Sequence, residues 1–261
     1  MDASAWKQFT AARSRFRKLT ARIDAALPAL KAAQQRLVDG RTGPAYTVET
    51  PVVYNGALED IGPGDEIGLI LVADNPGRRE QAAENRRYLV GPSGKITEKF
   101  FRDNPELGID FRKNVIILNK TPIHSPRTAE LRDLCRLDGR RADGGPSAAS
   151  IETAIIESQE AMARLLLEFH RALSPEPSAG IPVWIIGYSE MRKGGVFEAY
   201  TEKIKELYAP LPALKRKLFL YRHFSMNQFT IDLRARILAG ESLAEALERI
   251  GAAYRERILG R

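Results

Sequence analysis

At 261 residues, 44% apolar and 28% charged, the chain has the composition of a folded globular protein and enough length to bury one sizeable core. No apolar run approaches the ~20 residues that span a bilayer, the first residues are charged throughout and so unlike a secretory signal, and a single cysteine, Cys135, excludes an internal disulfide or a cluster held by several thiolates. The net charge of +7 suits a polyanionic partner, and the expected compartment is the cytoplasm.

Residues 4–39 read as helix, with Trp6, Phe9, Phe16, Leu19, Ile23, Leu27 and Leu30 at helical spacing and Pro28 bending or dividing it. Arg13, Arg15, Arg17, Lys18 and Arg22 make this stretch strongly basic, either as a solvated face or as a nucleic-acid contact. Four short apolar runs follow, at 67–73, 114–118, 182–186 and 218–221, rich in β-branched residues. Helical patterns at 151–173 and 198–208 separate the later runs, and an amphipathic helix at 243–258 comes last. The Gly- and Arg-bearing segment 127–150 reads as a long loop, and no internal repeat is present. Strands that alternate with helices and are apolar on both faces predict a three-layer α/β/α fold. Its central sheet is four-stranded and mainly parallel, with helical additions at both ends. Residues 1–45 form an N-terminal helical extension packed on a core domain of residues 46–261.

Ligands of open parallel sheets bind beyond the carboxyl ends of the strands, and here those ends are the polar part of each run. The first closes in Asp74-Asn75-Pro76-Gly77 and the second in Asn119-Lys120-Thr121-Pro122, with His124 close behind. The third closes in Gly187-Tyr188-Ser189 and the fourth in His223-Phe224-Ser225-Met226-Asn227. Connections at the opposite edge, SPEPSAGIP and YAPLPALKRK, are Pro-rich turns. An asparagine amide offers both a donor and an acceptor, which matches the edge of a base. A histidine can donate to charge developing on a departing base. Asn75 or Asp74 can hold or activate a water. Together these groups suit hydrolysis of an N-glycosidic bond.

In order along the chain, LILVADNPGRRE, YLVGPSGKITEKFF, NVIILNKTP, WIIGYSE and YRHFSMNQF resemble the uracil-DNA glycosylase superfamily over residues 67–235. The resemblance implies a DNA glycosylase of base-excision repair that acts on uracil-containing or otherwise deaminated DNA after flipping the base. It implies a monomer away from membranes, with no metal or redox cofactor. It gives catalytic roles to Asn75, which positions the attacking water, and His223, which stabilises the leaving base, with Asp74 as a further candidate. Asn119 would read the uracil edge, and Gly77, Tyr88 and Leu89 would line the pocket. Ser93, Lys95, Ser189 and Lys193 would meet the DNA backbone, and Phe224, Ser225 and Met226 would form the minor-groove loop, with Met226 or Phe224 as its wedge.

The sequence also departs from the family pattern. Iron–sulfur relatives use four cysteines, so one cysteine rules out their cluster. They place a phenylalanine just before VGP to stack on the base, where Leu89 stands in direct register, so that either Tyr88 stacks after a local shift or the aromatic floor is gone. Phe224 replaces the proline of His-Pro-Ser, and asparagine rather than aspartate at 75 implies slow hydrolysis. These departures motivate three alternatives: a glycosylase for hypoxanthine or xanthine, a non-catalytic nucleic-acid-binding protein of the same fold, and an enzyme acting on a free nucleoside or nucleotide. GPSGKIT is not a nucleotide-binding P-loop, because Leu89 stands where its first glycine belongs and Ile96 follows the lysine, which leaves Ser93 as a turn or cap residue. His124 reads as a loop residue and His170 as a surface or interface residue.

Overall fold

The computed structural model describes residues 1–138, 150–176 and 180–260. The helices are α1 (Ala3–Ala26), α2 (Leu30–Asp39), α3 (Pro92–Asp103), α4 (Leu131–Asp138), α5 (Ile151–Ala172), α6 (Glu198–Tyr208), α7 (Pro212–Lys215), α8 (Gln228–Arg236) and α9 (Leu243–Leu259). Four strands, β1 (Leu69–Ala73), β2 (Val115–Asn119), β3 (Val183–Ile186) and β4 (Leu218–Tyr221), form one parallel sheet in the order β2-β1-β3-β4. Every residue of all four strands is buried, because helices cover both faces.

Aromatic packing defines one layer. Trp184 and Phe219 are register partners and leave the sheet on the same side. There Trp184 stacks with Phe101 of α3 at 5.4 Å and Phe229 of α8 at 5.9 Å, while α9 approaches Phe219 and Tyr221 through Gly251. In the opposite layer α5 packs on α1, α4 and α6 and reaches β2. The three-layer α/β/α reading therefore holds. Phe9 and Phe16 of α1 are fully buried, so the N-terminal helix is part of this packing. Asp2 caps it by accepting from the Ala5 N–H at 2.7 Å, and the helical run is divided just before Pro28. Its arginines bind local carboxylates: Arg13 and Arg17 reach Glu59, and Arg15 reaches Glu168 at 2.7 Å.

Two readings of the sequence need correction here. The segment 127–150 is not all loop, since it contains α4, while its residues 139–149 lie outside the described residues. In the same way, residues 177–179 of SPEPSAGIP lie outside them. His170 is neither surface nor interface but fully buried, with Nδ1 3.1 Å from the Tyr208 hydroxyl and Nε2 3.1 Å from the Ile181 carbonyl. A carbonyl can only accept, so Nε2 donates and Nδ1 accepts.

Candidate active site

The sheet order places the topological switch between β1 and β3, the position where open parallel sheets bind ligands. A cleft of about 1440 Å³ opens there. Asp74, Asn75 and Gly77 line it from the β1 end, Ser189 from the β3 end, and His223, Ser225 and Met226 from the β4 end. Leu89 and Ser93 close another wall.

Close backbone contacts build this corner. Gly187, at φ +81°, lets β3 turn beside β1, and a Cβ there would stand 2.4 Å from Asp74 Oδ1. Gly94 lets the start of α3 rest on Leu89, whose carbonyl oxygen would lie 1.5 Å from an added Cβ. Leu89 is itself left-handed, at φ +51°, and is held at both backbone groups. Its N–H donates to Glu80 at 2.9 Å and its carbonyl accepts from Arg112 at 3.0 Å.

His223 has a defined protonation geometry. Its Nδ1 lies 3.0 Å from the Ser225 backbone N–H and 2.9 Å from the Ser225 hydroxyl. A backbone N–H can only donate, so Nδ1 accepts and the single ring proton of the neutral form sits on Nε2. Burial pushes the imidazole below its ordinary pKa; Asp74 opposes that shift and Lys120 adds to it. Asn75 is equally oriented: its Nδ2 donates to Ser125 Oγ at 2.9 Å and faces the carbonyls of Ser125 and Pro76, which leaves Oδ1 as the acceptor.

Asn119 is set back from the cleft surface. It pairs in register with Ala73, a cleft residue, so the two side chains leave the sheet on the same face, although Asn119 itself does not line the cleft. It is buried, and neither its Oδ1 nor its Nδ2 has a hydrogen-bond partner among the described residues. An unpaired buried polar group costs about 1–3 kcal/mol.

Two assignments change. Tyr88 does not face the cleft: it is buried, donates its hydroxyl to the Val53 carbonyl at 2.6 Å and lies 6.3 Å from the Phe16 ring. Turning it outward would surrender both that bond and its apolar burial, so the segment offers Leu89 and no ring. Phe224 is fully buried and stacks on Phe229 at 4.1 Å. It therefore cannot be the wedge, and Met226 is the candidate that remains. Met226 is 79% exposed and stands on a left-handed turn with Asn227. Lys95 and Lys193 are exposed and do not line the cleft.

Several contributors carry no motif signal. Glu80 is a buried carboxyl in the cleft wall that accepts from the Gly77 and Leu89 N–H groups, with burial pushing its pKa up to about 7. His124 is a loop residue, as expected, but a buried one: its Nδ1 donates to the Pro76 carbonyl at 2.8 Å while Nε2 accepts from Tyr46. It thereby fixes the turn that carries Asn75. Lys120 is wholly buried against Asp74. Arg78, Arg79, Arg127 and Arg192 line the cleft, are exposed, and have no carboxylate partner among the described residues. Only the local clustering of Arg78 and Arg79 was visible in the sequence. No family model matches the chain, and no curated protein matches it, so the chemistry of this cleft is argued from its own geometry.

Proposed function

We propose that the protein is a DNA glycosylase that turns a deaminated base, uracil foremost, out of DNA and hydrolyses its N-glycosidic bond in base-excision repair. The observation that carries this reading is the neutral His223, whose Nε2–H is free to donate to a cleft ligand. A departing uracil gathers negative charge on the exocyclic carbonyl oxygen beside its glycosidic nitrogen, and a donor already in place lowers that barrier without reorganisation. Asn75 Oδ1 accepts from the attacking water. As the water oxygen bonds to C1′, the C1′–N bond breaks, its electron pair leaves with the base, and the water's proton passes to Asp74 or to solvent. Asn119 supplies a paired donor and acceptor for the base edge. The exposed arginines suit the flanking phosphates, and Met226 suits the gap left by an extruded nucleotide. The protein would work in the cytoplasm.

Leu89 in place of a ring favours a second reading. Losing a stacked base costs about 1–3 kcal/mol, so the preferred base could be hypoxanthine or xanthine, or the protein could bind nucleic acid without releasing a base. Oligonucleotides carrying one uracil, hypoxanthine or xanthine separate these outcomes. The expected result is base release from one lesion, reduced about a hundredfold or more by His223→Ala. Release that is unchanged in His223→Ala refutes the mechanism. Salt-sensitive binding with no release from any lesion selects the non-catalytic reading.

A further inference from the structure

The buried ion pair at the strand tips has a geometry that stability alone does not explain. Lys120 Nζ donates to Asp74 Oδ1 at 2.6 Å and to the Ile186 carbonyl at 2.5 Å, and it lies 4.9 Å from the centre of the Phe197 ring. Three strand ends thus meet on one ammonium: β2 through Lys120, β1 through Asp74 and β3 through Ile186. Asp74 Oδ2 also accepts from Thr128 at 3.3 Å. Sequestering a lysine with a carboxylate stabilises a fold little more than a well-packed apolar pair, and often less. Lys120 does not reach the cleft, whereas its partner Asp74 and the nearby His223 both do.

We propose that Lys120 is a positioning residue, which clamps Asp74 at the cleft wall and offsets its charge so that His223 meets the substrate as a neutral Nε2–H donor. The inference rests on the glycosylase reading. Other charged groups face the cleft from neighbouring segments: Glu49 before β1, Arg78, Arg79, Glu80 and Glu84 after β1, Arg127 after β2 and Arg192 after β3. Arg222, next to His223, is paired with Asp232 at 3.4 Å. Burial is the largest influence on His223, and the two charges that act on it are Asp74 and Lys120, in opposite senses. Without the ammonium, Asp74 stands alone and draws a second proton onto the ring. That proton lands on Nδ1, which then confronts the Ser225 N–H, donor against donor, and the ring loses the contact that orients it.

The test follows the His223 ring protons by NMR across pH, without substrate, in wild type, Lys120→Met, Lys120→Arg and Asp74→Asn. Lys120→Met should raise the midpoint by about one pH unit, Asp74→Asn should lower it, and Lys120→Arg, which keeps the charge, should stay near wild type. With uracil-containing DNA, the acid limb of kcat should rise with Lys120→Met while KM holds. Equal midpoints in all four proteins, or equal shifts in Lys120→Met and Lys120→Arg, overturn the proposal. Should Lys120→Met fail to fold, Asp74→Asn carries the test, and a midpoint at or above wild type overturns it. Because the titration needs no turnover, a protein that releases no base defeats the glycosylase reading and leaves the titration to be judged separately.

Discussion

Lowering the pH from 7 to 5 loads the buried groups of this protein in opposite directions. His124 and His170 are both buried, and burial pushes each imidazole down to about 4 from an ordinary value of 6.5. The unfolded chain therefore takes up these protons first, so their stabilisation is complete above pH 6.5 and disappears as the pH falls towards 4. Between pH 7 and 5 the loss is about 2 kcal/mol per histidine. Glu80 runs the other way. Its pKa is raised from 4.5 to about 7, so the folded state binds the proton first and stability rises as pH falls. That gain is about 2 kcal/mol over the same interval. The balance is a net loss of about 2 kcal/mol, a sizeable share of a domain stability of about 5–15 kcal/mol. His223, also held down by burial, adds to the loss in the same sense. Urea unfolding followed by tryptophan fluorescence at pH 7 and 5 measures the balance. His170→Gln keeps a donor for Ile181 and an acceptor for Tyr208 but cannot titrate, so its pH dependence should nearly vanish. Glu80→Gln removes the opposing gain, so its loss should roughly double, to about 4 kcal/mol. Parallel pH dependence in the three proteins would refute the reasoning.

The two residues of the fourth-strand loop should separate cleanly. Phe224→Ala empties a core site against Phe229 and Phe100 and should cost about 3–5 kcal/mol in denaturant unfolding. Met226→Ala should change stability by less than about 0.5 kcal/mol and instead weaken base release from duplex DNA; an unaltered release rate removes its wedge role. Asn119→Leu removes a buried amide that has no hydrogen-bond partner among the described residues. It should raise stability by about 1 kcal/mol while base release is lost, and a large loss of stability would show that the amide is structurally engaged.

The site was only partly legible before the fold was known. Asp74, Asn75 and His223 stood out because polar side chains closed apolar runs, and all three line the cleft. Tyr88 and Phe224 were read by their place beside motif residues, yet both turn into the core, where apolar burial outweighs any unfilled role at the surface. In α8, Phe229, Ile231 and Leu233 alternate as they would in a strand, which concealed a helix whose Ile231 is 56% exposed. His170 carries no local sign of burial, because its partners, Tyr208 and Ile181, come from other elements.

By itself the sequence determined the layers and the polar edge. Strands covered on both faces must be apolar throughout, and that pattern is local, so all four strands and the helices α5, α6 and α9 could be read within a residue or two. The order β2-β1-β3-β4 was settled only by tertiary packing, and with it which strand tips adjoin. That order brings Lys120 to Asp74 across 46 residues of chain and pairs Asn119 with Ala73. Charge balance, tautomer and desolvation depend on distances between elements, and no periodicity along the chain encodes those distances.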